Sequence, residues 1–96
     1  MPLIPLLLLK LQGWDDHRSA ARADLQQKQY VDIRDVSQLL QIAVTRGETL
    51  QGELEWLPTK FVNAGRARLA KYLQTLRPTN AGSWKQIGFE VEEEFL

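Results

Sequence analysis

A mainly α fold, a small helical bundle closing on a short extended acidic end, is what the sequence predicts, and three observations predict it. The stretch 31–47, V-D-I-R-D-V-S-Q-L-L-Q-I-A-V-T-R-G, has a start, an apolar face and a stop that all agree with a helix. The stretch 60–76 is bracketed by Pro58 and Pro78 and repeats apolar residues at helical spacing. The chain has 96 residues, 44% of them hydrophobic, with 12 basic against 12 acidic, which describes one small soluble domain over 1–96 with enough apolar material for a core.

In the first of these stretches Asp32 is placed to cap the helix by accepting a hydrogen bond from a free backbone N–H. Asp35 adds negative charge to the first turn, and Val31 and Val36 stand at the staple positions. Val36, Leu39, Leu40 and Ala43 share a face that Ile33 and Val44 widen. Arg46 suits the helix end, and Gly47 can take the left-handed conformation that closes it.

Taken from the start, residues 3–11 are apolar except for Pro5 and Lys10. A membrane-spanning helix needs about 20 apolar residues, and a secretory signal carries its positive charge before the apolar run, whereas Lys10 comes near its end. No membrane association is expected, and a cytoplasmic location is. Pro5 suits a first turn, and a helix over 5–14 follows that is apolar nearly all round. Such a helix must be covered by protein. It is either the centre of the bundle, with Leu7, Leu8 and Leu11 in the core, or part of a larger fold of which this chain is a fragment.

Gly13, Asp15 and Asp16 are expected to loosen this helix, and 17–29, with Leu25 as its one large aliphatic residue, reads as a partly helical connector. Over 50–57 the period does not decide: Leu50, Leu54 and Leu57 suit a helix, Leu54 and Trp56 a strand. Thr59 is then an N-cap for the helix over 60–76, whose inner face is Phe61, Gly65, Leu69, Tyr72, Leu73 and Leu76. Residues 79–82 form a turn, and 83–88 one more helical turn with Trp84 and Ile87 inward. The alternative is an α+β fold with strands near 50–57 and 86–92.

The function classes narrow by exclusion. A balanced charge argues against a nucleic-acid binder, which carries a basic excess. Arg66, Arg68 and Lys71 form a basic patch on the helix over 60–77, but around the helix they spread over the whole polar arc. Without cysteine, and with one histidine, neither a disulfide framework nor a zinc site is expected, and no cofactor is implied. No serine sits on a glycine-rich elbow and no phosphate loop is present. His17 reads as polar surface. Lys10 is a cation within an apolar run, either snorkelling to solvent or pointing into a polar site.

Two segments, L-L-L-L-K-L-Q-G-W-D-D-H-R and K-Q-Y-V-D-I-R-D-V-S-Q-L-L, resemble the helical part that follows the catalytic sheet in nucleotidyltransferase-fold proteins of the kind that includes abortive-infection toxins. The resemblance covers 6–40. It implies that Lys10 and Arg18 face nucleotide phosphates in a complete enzyme, with Asp32 and Asp35 supporting them or capping the helix. The chain departs from that family in lacking a Gly-Ser turn and a D-x-D pair, so the two-metal support for phosphoryl transfer has no ligands here. The isolated chain is therefore not expected to be an enzyme. The reading that results is a non-catalytic helical module acting by protein–protein contact, with a partner protein or a homodimer formed through the N-terminal helix at Leu6 and Leu9. The alternative is a part-enzyme whose Lys10 and Arg18 complete a nucleotide site with a catalytic half on another chain. Nucleic-acid binding through the 60–77 helix ranks third.

Overall fold

A computed structural model describes residues 2–96. Helices α1 (Leu3–Arg18), α2 (Ala23–Arg46), α3 (Thr59–Leu76) and α4 (Ala81–Gln86) are followed by a 3-10 turn, Glu93–Phe95, and no strand occurs among the described residues. The mainly α expectation holds, and the α+β alternative does not. Residues 50–57 are a series of turns that bury Leu50 and Leu57 and expose Leu54 and Trp56. The Leu50 N–H donates to the Ile87 carbonyl at 2.8 Å, which ties this loop to the end of α4 without building a ladder.

Helix α1 is the centre of the bundle, packed between α2 and α3. It is longer than the predicted 5–14. Gly13 stays helical and faces α2, where a Cβ would stand at an ordinary contact distance of 3.7 Å from an Asp32 carboxylate oxygen. Asp15 is held by Arg18 one turn on at 3.0 Å, so the expected loosening does not occur. At the other end the Leu3 N–H donates to Glu48 Oε1 at 3.1 Å, so a residue beyond α2 supplies the acceptor that Pro2 has no side chain to give.

Helix α2 begins at Ala23, nine residues before the predicted start at Asp32. The supposed connector contains no proline or glycine and is rich in Ala, Gln, Lys and Arg, so nothing breaks the helix before the turn at 19–22. Asp24, paired with Arg22 at 2.7 Å, takes the first-turn position. Asp32 and Asp35 are thus not caps but mid-helix residues aimed at α1. The Val31–Val36 staple does not form either: Val31 is exposed and Val36 buried. The stop is as expected, with Gly47 at φ 69° and the Glu48 N–H donating to the Ala43 carbonyl at 3.0 Å.

In α3, Thr59 is the first helical residue and makes no side-chain cap. The buried face is Val62, Gly65, Leu69, Tyr72 and Leu73, with Phe61 and Leu76 half-buried at its margins. Trp84 and Ile87 are buried as predicted. The core is threaded by a chain of edge-on aromatic contacts, Trp14 to Tyr72 at 5.1 Å, Tyr72 to Trp84 at 6.4 Å and Trp84 to Phe89 at 5.5 Å between centroids. Burial pushes the Tyr72 phenol up to about 12, against a smaller opposite pull from its hydrogen bond with Ser37. The indole nitrogens of Trp14 and Trp84 are buried without a partner, a local loss that the packing of both rings has to offset. The acidic end is extended only as far as Glu92. It then turns so that Phe95 lies under the Arg77 guanidinium at 5.5 Å.

Candidate functional site

Of the four residues singled out by the resemblance, the α1–α2 hairpin brings only Lys10 and Asp35 into contact, and Arg18 and Asp32 each pair with another residue. Lys10 Nζ lies 3.1 Å from Asp35 Oδ2, in a half-exposed setting. Arg18 reaches back to Asp15 at 3.0 Å and lays its guanidinium 4.7 Å from the Trp14 ring. Asp15 also has Lys71 of α3 at 4.0 Å. Asp32, among the described residues the one charged side chain with almost no exposure at 7%, receives His17 Nδ1 at 2.5 Å. A phosphate approaching Lys10 or Arg18 would meet a carboxylate already beside the cation. No group of three metal-ligating side chains occurs among the described residues.

The reading of His17 as plain polar surface missed the His17–Asp32 pair, because it placed the start of α2 at the very residue that forms it. The signal was available. With 19–22 as a tight turn, residues before and after it lie opposite one another, and the Lys10–Asp35 and Gly13–Asp32 contacts both follow from that register.

Outside this row of pairs, the hairpin presents an apolar strip. Leu9 of α1 is 47% exposed, and Val31 and Ile42 of α2 are 48% and 42% exposed. Leu6 is half-buried and lines a depression of about 210 Å³ with Lys10, Asp35, Gln38, Leu39 and Ile42. At this depression Leu6 of α1 meets Leu39 and Ile42 of α2, with the Lys10–Asp35 pair beside them.

The basic patch is dispersed. Arg66 lines a groove of about 580 Å³ between α3 and the C-terminal segment, together with Lys85, Glu90 and Glu92. Lys71 turns toward Asp15, and Arg68 is half-buried. Arg66 of α3 and the acidic residues Glu90 and Glu92 therefore share that groove, with apolar walls formed by Leu69, Leu73, Phe89 and Phe95. Among the described residues, no helix is long and apolar enough to cross a membrane. Comparison with protein-family models, with curated proteins and with solved structures finds no match for this chain.

Proposed function

We propose that the chain is a non-catalytic helical module that works by protein–protein contact through the outer face of the α1–α2 hairpin. The observation that carries this reading is the exposed strip itself. Leu9, Val31 and Ile42 stand in water on two packed helices, with Leu6 and Leu39 continuing the surface inward. Scattered apolar residues are ordinary on a protein surface, but Leu6, Leu39 and Ile42 line one depression across two helices, which is a place where a partner side chain can be received. The internal pairing of Lys10 with Asp35 leaves the surface there without net charge, which suits a contact made by apolar side chains with the pair kept at its wetted rim.

The nucleotide-site alternative is less well supported, since both of its cations are engaged with acids of the same chain. A photo-crosslinking amino acid at Leu9, expressed in the native cell, tests the proposal against the same group at exposed Asn63 on α3. A discrete protein adduct from position 9 alone is the expected result. Equal labelling at both positions, or none at position 9, would overturn it.

A further inference from the structure

We propose that the groove between α3 and the extended segment 89–92 binds the apolar C-terminal end of another polypeptide, laid beside residues 90–92 as an added strand with its carboxylate taken up by Arg66 and Lys85. None of the residues lining this groove belongs to α1 or α2, so it is a second face, separate from that of the hairpin. Backbone, shape and charge all point to that ligand. Glu92 has extended torsions, φ −65° and ψ 144°. Along the segment Phe89 is buried, Glu90 exposed, Val91 half-buried and Glu92 exposed, the alternation of an extended strand. Among the described residues, the N–H groups of Glu90, Val91 and Glu92 and the carbonyls of Glu90 and Val91 are unpaired with any other backbone group. An extended peptide can pair with such an edge, and α3 across the groove gives it a second wall.

The groove's volume of about 580 Å³ falls in the range of small-ligand sites. From Arg66 to Leu73 its α3 wall runs about 10 Å, the length of about three residues of extended chain, which matches the stretch 90–92. Ala70 is exposed there and Val91 and Phe95 are half-buried, so apolar side chains can settle against both walls. The cations come from two different helices. Among the described residues neither Arg66 nor Lys85 has a carboxylate within 4.0 Å, although Glu90 and Glu92 line the same groove, whereas Lys10, Arg18 and Lys71 each have one. Two bases against two acids leave no net charge, so a polyanion is not drawn in. A single carboxylate closing an apolar segment is what these cations can take up. A fatty acid would bring the same charge and an apolar body, but it offers nothing to the unpaired N–H and C=O groups of 90–92.

The probe is acetyl-Val-Leu-Val with a free carboxylate, titrated into the isotope-labelled chain and followed through its backbone amide resonances. Those of Glu90, Val91 and Glu92 should shift and exchange more slowly with solvent, with a Kd on the order of 0.1–1 mM for so small a contact. The C-terminal amide of the same peptide should bind about fivefold more weakly, and Arg66→Gln with Lys85→Gln should lose about the same factor for the acid and none for the amide. Octanoate, or the peptide methylated on its backbone nitrogens, should leave the exchange of 90–92 unchanged. Ala70→Trp fills the groove from an exposed position and should abolish binding, with circular dichroism showing that the helices remain. Absence of any shift at roughly 5 mM peptide, or shifts confined to α1 and α2, overturns the proposal. Equal protection by octanoate or by the methylated peptide overturns it too, as does a charge variant that weakens the acid and the amide alike.

Discussion

Gly65 of α3 lies so close to Leu8 of α1 that a methyl group at Gly65 would stand 2.5 Å from Leu8 Cδ2. A glycine in mid-helix loses about 1 kcal/mol of helix propensity relative to alanine, so the sign of Gly65→Ala depends on whether Leu8 can give way. Leu8 is fully buried and has nowhere to turn. The substitution should therefore destabilise by about 1–2 kcal/mol in urea unfolding, the overpacking term exceeding the propensity gain. Leu8→Ala should relieve the clash, so the double variant should lose clearly less than the sum of the two single losses.

Tyr72 gives the fold an alkaline limit. Its phenol is pushed up to about 12 in the folded chain against an ordinary 10.0, because burial disfavours the charged form. Its contribution is full below pH 10 and falls as pH rises from about 10 to about 12, the range in which the unfolded chain has released the proton and the folded chain has not. Two units correspond to a loss of about 3 kcal/mol. Unfolding free energies measured across that range should show this slope. Tyr72→Phe should flatten it, whereas Tyr30→Phe, at a side chain 62% exposed, should leave it unchanged.

The two acid–base pairs of the hairpin should differ in strength. Asp32 and His17 are less exposed than Asp35 and Lys10, with side chains 10% and 31% open against 26% and 35%. Double-mutant cycles with alanine should give the Lys10–Asp35 pair about 0.2–1 kcal/mol and the His17–Asp32 pair more. Asp32→Ala alone should lose about 1–3 kcal/mol, because the His17 donor is left without an acceptor beside a nearly closed site. Equal coupling in the two cycles would show that burial does not separate them.

The isolated chain should transfer no nucleotide from any triphosphate to protein or RNA, with magnesium or manganese present. The grounds are the missing D-x-D pair and the carboxylates already seated on Lys10 and Arg18. A labelled product that Lys10→Ala abolishes would overturn this.

The elements legible in the sequence were those with marked ends. Gly47 and Pro78 stop helices where they stand, and the α3 and α4 faces were visible through their period. Misreadings arose where local chemistry has two uses. Asp32 and Asp35 have the composition of a helix start, yet α2 runs on upstream because its polar residues are good helix formers. The two acids serve instead to receive bases from α1. The predicted α3 face included Phe61 and not Val62, whereas the helix turns Val62 inward and leaves Phe61 at the margin. Residues 50–57 carried no period, and they proved to be turns anchored at Leu50 and Leu57. The apolar N-terminal helix was read as needing a cover. Packing between α2 and α3 supplies most of it, and Leu9 is the part left over.

The chain holds three tryptophans, and the fold sorts them by solvent. Trp14 and Trp84 have no exposure and stand at two points along the same aromatic row, whereas Trp56 is 56% exposed on the loop after α2. Their emission is therefore separable. Acrylamide should quench Trp56 alone in the native protein, and Trp56→Phe should leave a blue-shifted signal that comes only from the two rings flanking Tyr72. A single-wavelength fluorescence trace of that variant would follow the meeting of α1, α3 and α4, and no label would be needed to time it.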